Sequence, residues 1–380
     1  MSSSNIKVAF LVDSLRAGGA ERVVSLLANQ LAKESYRVSV ITFKGKDSDY
    51  FSLREEVKRE VVPWEGFLSI KSFLKKLNFI LSSYSVVISF MDQANIFALL
   101  SQKKVPVIIS ERNYPEYTSL YQKFSKYRLG KVFLWLKYVI YKKACFIVLQ
   151  TERSREFFPA FLQDKIKVIP NPVCPPAGEG NLTLKKPYIL GVGRLSKQKN
   201  FSLLIKAFKE ASRTFKDWYL YIIGEGEEKQ NLSQLIEELQ LSQRVKLLGV
   251  VPDLLGAMTG AEIFALSSLA EGQPMVLGEA MFLGKAVIAT DCPTGPKELI
   301  TPNQDGILVQ NNNLTQFKEN LLKLMSSQEL RKQLGLSAKK KAEKYCIENC
   351  PTGALEIDIQ TGAIKVDEES CIGCGVCVRV

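Results

Sequence analysis

The sequence predicts two doubly wound α/β domains in tandem, followed by a short segment of different character. Three observations carry this. The chain has 380 residues, more than one hydrophobic core usually serves. Short apolar, β-branched runs alternate with stretches of helical apolar spacing, the pattern of parallel strands buried on both faces. A Pro- and Gly-rich passage at 169–180, IPNPVCPPAGEG, interrupts the alternation with the composition of an interdomain linker.

In chain order, IKVAFLV predicts a first strand, AERVVSLLANQLAK a helix and RVSVITF a second strand. VVISFM, VPVIIS and CFIVLQ continue the first series. After the linker come YILGVGRL, a helix around FSLLIKAFKEA, WYLYIIGEG, a helix around KQNLSQLIEELQ, and the strands VKLLGV, IFALSS, AVIAT and GILV. The domain boundary is placed at 172, giving domains 1–172 and 173–345, with 346–380 as a third segment. Two such sheets in tandem are expected to face one another across a cleft at their carboxyl ends, where doubly wound sheets bind ligands.

Composition narrows the chemistry. There is no histidine, which excludes a Ser-His-Asp triad, a Cys-His dyad and the usual catalytic zinc site. The net charge of +12 lies wholly in residues 1–170, which hold 27 Lys/Arg against 15 Asp/Glu, while the remainder holds 24 of each. A basic half suggests a partner with an anionic surface, lipid or nucleic acid, and no recognised nucleic-acid module is present. The start MSSSNIKVAFLVDS does not read as a secretory leader, and no apolar run reaches the roughly 18 residues a bilayer span needs. A cytoplasmic protein is expected.

Three loops carry candidate chemistry. In AGGAER, Gly18 and Gly19 precede the first helix, where free amides and the helix dipole favour phosphate; by itself a Gly-Gly turn is more often simple chain geometry. In GVGRLSKQKN, Arg194 and Lys199 follow a strand and can clamp a diphosphate, Arg as a fork and Lys as a point charge. In EGQPMVLGE, Glu271 lies just before a helix starting near Pro274 and Glu279 slightly over a turn into it. A carboxylate beside anion-binding amides can accept from sugar hydroxyls or stabilise positive charge at an anomeric carbon.

Taken in this order and spacing, with DCPTGPKELI after them, these motifs resemble the family-4 glycosyltransferases over about residues 6–345. The resemblance implies a GT-B fold and a retaining transferase that uses a nucleotide-sugar donor, here a UDP-sugar, without a divalent metal. It is nearest in feel to the bacterial enzymes that add hexose or N-acetylhexosamine to lipid-linked oligosaccharide, capsule or O-antigen precursors. Carried over residue by residue, it gives Arg194 and Lys199 the donor diphosphate and Glu279 the ribose hydroxyls. Glu271 faces the reacting carbon. The stretch Gln273, Pro274, Met275 and Val276 is the segment whose backbone N–H groups, Pro274 having none, hold sugar and phosphate oxygens, Gly18 and Gly19 close on the phosphates, and Gly224 and Gly226 lie on the nucleotide side. Where many members carry a first-domain histidine this chain has ISERN, so Arg112 and Asn113 become candidate contacts to donor or acceptor.

Between Glu116 and Glu152 there is no acid, yet Lys123, Lys126, Arg128, Lys131, Lys137, Lys142 and Lys143 interleave with Phe124, Tyr127, Phe133, Trp135 and Tyr138. Such a stretch fits an anionic bilayer, and also a core helix with solvated lysines. With KSFLKK at 71–76 as a second basic patch, it predicts peripheral attachment to the inner face of the cell membrane, where a polyprenyl-linked glycan acceptor resides.

The last segment resembles part of a bacterial 4Fe-4S ferredoxin. CIENCP supplies Cys346 and Cys350, and CIGCGVC supplies Cys371, Cys374 and Cys377. By the crossed pairing of such motifs, Cys350, Cys371, Cys374 and Cys377 make one cluster set. The alternative function this implies is an electron-transfer or redox-sensing protein whose cluster is the working part.

Overall fold

The computed structural model describes residues 5–46, 49–66, 69–126, 128–171, 173, 176 and 178–348, and the backbone of 355–357 and 364–366. The chain divides into two compact units after Asn171.

The first unit runs β1 (Lys7–Val12), α1 (Gly19–Lys33), β2 (Arg37–Thr42), β3 (Lys58–Val61), α2 (Ile70–Leu81), β4 (Val86–Phe90), α3 (Asp92–Ser101), β5 (Val107–Ser110), α4 (Ser119–Ser125), α5 (Gly130–Tyr141), β6 (Phe146–Leu149), α6 (Glu152–Arg155) and β7 (Ile166–Val168). Its seven strands are all parallel in the order β3-β2-β1-β4-β5-β6-β7. The order reverses between β1 and β4, and at such a switch point the loops leaving the two strands part and open a crevice. Phe73 and Leu77 of α2, Phe97 of α3 and Tyr138 of α5 pack on one sheet face in a single cluster with Leu11, Ile41 and Ile109. The edge strand β3, KREV, is polar and short, which is why periodicity does not announce it.

The second unit repeats the plan with β8 (Tyr188–Val192), α7 (Phe201–Ala211), β9 (Tyr219–Ile223), α8 (Lys229–Glu238), β10 (Val245–Gly249), α9 (Leu254–Gly260), β11 (Ile263–Leu266), α10 (Met275–Phe282), β12 (Ala286–Asp291), α11 (Pro296–Leu299), β13 (Ile307–Gln310), α12 (Leu314–Ser326) and α13 (Gln328–Glu348). Its sheet is parallel in the order β10-β9-β8-β11-β12-β13, with the switch point between β8 and β11. Helix α7 shows why the sequence pattern worked here. Phe201, Leu204, Ile205 and Phe208 recur at helical spacing and all are buried in the core of this unit. Helix α13 continues to Glu348, across the position chosen for the third segment. Beyond it, β14 (Leu355–Ile357) and β15 (Ile364–Val366) pair antiparallel. Cys350, Cys371, Cys374 and Cys377 lie outside the described residues, as does the side chain of Cys346.

The basic aromatic stretch divides differently from the sequence expectation. Lys137 is not a surface cation: its side chain is 0% exposed and its Nζ lies 3.0 Å from Glu111 Oε2. Tyr138 is in the core, donating to the carbonyl of Phe157 (2.9 Å). Phe124 and Phe133 are half-buried and stack on each other at 4.8 Å, joining α4 to α5. The reason is helical geometry: positions 137, 138 and 141 share the face of α5 that meets the sheet, whatever their polarity.

Glu111 is the hub of a buried polar network. Besides Lys137 it accepts from Tyr141 Oη and from Asn95 Nδ2 (3.0 Å), and Ser89 Oγ donates to Asn95 Oδ1 (2.7 Å). Asp92, close by and 2% exposed, has its carboxyl pushed above the usual range by burial, with Lys137 opposing the shift. A charge this deep is tolerated only while its partner stays. Lys137→Met is therefore expected to cost about 3–5 kcal/mol of folding stability, by leaving the buried Glu111 carboxyl without its partner. Combining it with Glu111→Gln should restore most of that loss in urea unfolding; two losses that simply add would contradict the network.

Candidate active site

In the second unit the candidate residues sit on the loops that leave β8 and β11, on either side of the switch point. The β8 loop is fixed from below by the loop after β9. Gly193 N donates to Ile223 O (3.0 Å), Leu195 N to Glu225 O (2.9 Å) and Glu228 N to Leu195 O (2.9 Å). Such close backbone approach leaves no room for side chains: a Cβ on Gly224 would lie 2.0 Å from Gly193 O, and one on Gly226 2.3 Å from Leu195 O. Gly224 also has φ +143, a conformation that favours glycine. The glycines proposed on the nucleotide side thus support the loop that carries Arg194 and Lys199.

Lys199 ends a short 3₁₀ turn, Lys197–Lys199, after β8. Its Nζ lies 2.6 Å from Glu271 Oε1, so two residues that sequence spacing treated separately form one ion pair. Glu271 is 5% exposed, and its Oε1 also accepts from Ser268 Oγ at 2.5 Å. The backbones around the pair are stitched across the switch point. Ser267 Oγ donates to Lys199 O (2.9 Å), Leu269 N to Gln198 O (2.7 Å) and Gln198 Nε2 to Ala270 O (2.7 Å). From β12, Thr290 Oγ1 donates to Ser268 O (2.5 Å), and from the loop after it Thr294 Oγ1 donates to Glu271 O. Arg194, by contrast, is exposed. Burial, reinforced by the Glu271 carboxylate, raises the thiol of neighbouring Cys292 well above its ordinary value, which keeps it a neutral packing group.

Helix α10 begins at Met275 with Pro274 as its cap residue. The first-turn amides of a helix have no partner within it and carry the positive end of its dipole, so Met275 and Val276 present anion-binding amides just past Glu271. Gln273 is held by Tyr345 of α13, to whose Oη its Nε2 donates (2.6 Å). Glu279, one turn into α10, is 1% exposed.

In the first unit, Gly18 caps α1 in extended backbone (φ −172) and Gly19 is its first residue. Arg112 and Asn113 follow Glu111 directly after β5. The Arg112 guanidinium lies over the Phe90 ring, 5.6 Å from its centroid, and donates to the Asn171 side-chain oxygen; burial pulls it down to about 9. Asn113 shapes its own turn, accepting from Tyr114 N (2.9 Å) and donating to Tyr117 O (3.3 Å).

Ser268, Gln198, Thr294 and Tyr345 were not foreseen. They carry no charge or special spacing; only the fold brings Gln198 to Ala270 O, Thr294 to Glu271 O and Tyr345 to Gln273, while Ser268 meets Glu271 within one turn of chain. Among the described residues no group of three or more Cys, Asp and Glu could hold a metal ion. The one Asp-x-Asp spacing, Asp47-Ser48-Asp49, has its described carboxylate, Asp49, engaged by Arg59 Nε (2.9 Å) and Nη2 (3.1 Å).

Comparison with known proteins finds matches over both units. Residues 17–175 match the family model described as Glycosyltransferase Family 4, and residues 178–341 the model described as Glycosyl transferases group 1. The chain is 27% identical over 360 residues to a Campylobacter jejuni protein named GalNAc-alpha-(1->4)-GalNAc-alpha-(1->3)-diNAcBac-PP-undecaprenol alpha-1,4-N-acetyl-D-galactosaminyltransferase, covering 90% of this chain and 94% of that one. It is 28% identical over 349 residues to the amylovoran biosynthesis glycosyltransferase AmsD of Erwinia amylovora, covering 89% and 95%. Among solved structures, Anabaena Alr3699/HepE in complex with UDP-glucose superposes with a TM-score of 0.74 at 20% identity, covering 90% of this chain and 95% of that one. The chain is a glycosyltransferase of the GT-B fold, with a Glycosyltransferase Family 4 domain over 17–175 and a Glycosyl transferases group 1 domain over 178–341.

Proposed function

We propose that the chain transfers a hexose or N-acetylhexosamine from a UDP-sugar, with retention of anomeric configuration, to a polyprenyl-linked oligosaccharide, capsule or O-antigen type acceptor at the inner membrane face. The observation that carries this reading is the Lys199–Glu271 ion pair, 2.6 Å long, on the two loops that leave the switch point of the second sheet. A carboxylate and a cation held together there match the charges of a nucleotide-sugar donor: positive at the anomeric carbon as the bond breaks, negative on the departing diphosphate.

In this reading the diphosphate takes its contacts from Arg194, from Lys199 and from the α10 amides of Met275 and Val276. A lysine ammonium has three donors, so Lys199 can keep Glu271 while donating to phosphate oxygen. Glu271 faces the anomeric carbon, Glu279 the ribose hydroxyls, and Gly18 and Gly19 the phosphates. Arg112 and Asn113 contribute from the first domain to donor or acceptor. The bond from anomeric carbon to diphosphate oxygen breaks, and the acceptor hydroxyl oxygen bonds to that carbon on the same face. Its proton passes to the departing diphosphate, which leaves as UDP. With cations and amides taking the charge, transfer needs no divalent metal.

UDP as the nucleotide draws support from the solved relative bound to UDP-glucose. A lipid-linked acceptor draws support from the undecaprenol-PP glycan in the name of the Campylobacter relative.

Glu271→Gln and Lys199→Ala are each expected to lower turnover by about two orders of magnitude, the usual effect of removing an electrostatic contact to a transition state. UDP release across a panel of UDP-sugars measures this, and folded variants that turn over like the parent would refute the site. Activity should survive EDTA, and the coupling constant of the anomeric proton in the product should match that of the donor. Loss on chelation would overturn the metal-free account, and an inverted product the retaining one.

A further inference from the structure

Helix α5 is apolar on both sides. Its inner side supplies Tyr138 and Tyr141 to the core, where a soluble helix would put its apolar stripe. Its outer side, where charged residues normally lie, carries Val132, Trp135, Leu136 and Val139, and Leu129 precedes it. All five are exposed, Trp135 by 61% and Val132 by 53%. Positions 132, 135, 136 and 139 are i, i+3, i+4 and i+7, so they form one continuous stripe. Around it stand Lys131, Lys142 and Lys143, with Lys123, Lys126 and Arg128 from α4 and the turn after it, all exposed. No acid occurs between Glu116 and Glu152.

We infer that the outer face of α5 is the surface by which this enzyme seats on an anionic bilayer, the helix lying in the membrane plane with its apolar stripe among the acyl chains. This deepens, and rests on, the reading that the acceptor is lipid-linked. The helix has 12 residues, about 18 Å at 1.5 Å per residue, so it is too short to cross a hydrocarbon core of about 30 Å. An apolar stripe with a basic rim is the pattern of a helix that lies at the interface, and an indole suits the headgroup level. The rim decides between occupants. A second copy docked face to face would set its own cations against these, whereas phosphatidylglycerol headgroups neutralise them. The inner face of the same helix holds Lys137 against Glu111, the residue before Arg112. Seating α5 therefore fixes the height of the Arg112–Asn113 loop above the lipid.

The test is co-sedimentation of the full chain with vesicles of phosphatidylglycerol and phosphatidylcholine, beside vesicles of phosphatidylcholine alone, with iodide quenching of tryptophan fluorescence. The parent should bind the anionic vesicles, bind at least tenfold less to the neutral ones, weaken with salt, and have Trp135 shielded from iodide. Val132→Asp/Leu136→Asp should lose at least tenfold in vesicle binding, and so should Lys131→Glu/Lys142→Glu/Lys143→Glu. All these positions are exposed, so UDP release from the accepted UDP-sugar should be unchanged. Equal binding to neutral vesicles, parent-like binding by Val132→Asp/Leu136→Asp, or self-association through this face without vesicle binding would each overturn the inference. Vesicle binding as described in a chain that releases no UDP from any UDP-sugar would instead leave the docking face standing and refute the proposed transfer.

Discussion

The second domain is organised around the Lys199–Glu271 ion pair. A parallel doubly wound sheet supplies a crevice only where its strand order reverses, and here that crevice lies between β8 and β11. Loops leaving the two strands would part there with nothing to hold them. Instead Ser267, Gln198 and Leu269 tie one loop to the other through backbone carbonyls and amides, and Ser268 and Thr294 hold Glu271 at both its carboxylate and its carbonyl. The pair sits at the top of this lattice with Glu271 nearly buried. A carboxylate so placed is worth more electrostatically than one in open water, because little solvent screens it. The result is a structure that holds two opposite charges in one place.

The first domain uses an ion pair differently. Lys137 and Glu111 are sealed from solvent, so their attraction offsets a desolvation cost instead of acting on a ligand. What the pair supplies is registration. Glu111 directly follows β5 and begins the loop of Arg112 and Asn113, while Lys137 lies within α5, so helix and loop cannot slide past each other. Tyr141 and Asn95 bind the same carboxylate and make the arrangement unique. Of the two pairs, that of Lys199 and Glu271 is partly exposed and that of Lys137 and Glu111 is sealed.

Most of the fold could be read from periodicity. Helix α7 lies where its apolar spacing puts it, and the strands of both sheets fall on the apolar runs, because burial on both faces demands such runs. The two edge strands of the first sheet escaped, β3 because it is polar and β7 because it is only three residues long. The charged residues of the site were legible too, since Arg194, Lys199, Glu271 and Glu279 stand beside glycines and prolines that mark strand-to-helix turns. Which of them meet was not legible: Lys199 and Glu271 are 72 positions apart, and only the order of the strands brings them together. Lys137 shows the limit most clearly. In a lysine-rich stretch it reads as one more surface cation, and nothing local tells that its helical face turns to the sheet or that Glu111 waits there. Neutral helpers such as Ser268 and Tyr345 leave no signal in a single sequence, because serines and tyrosines are common and their partners are set by tertiary contact.

The claim that Lys199 and Glu271 act as one charged unit is tested most directly by a double-mutant cycle on kcat/KM for sugar transfer, using Lys199→Ala, Glu271→Gln and the two combined. If each residue is useful only while the other is in place, the double variant will be no slower than the worse single variant, as for groups that act together. Losses that multiply in the double variant would mean that the two residues act independently, and would contradict the account.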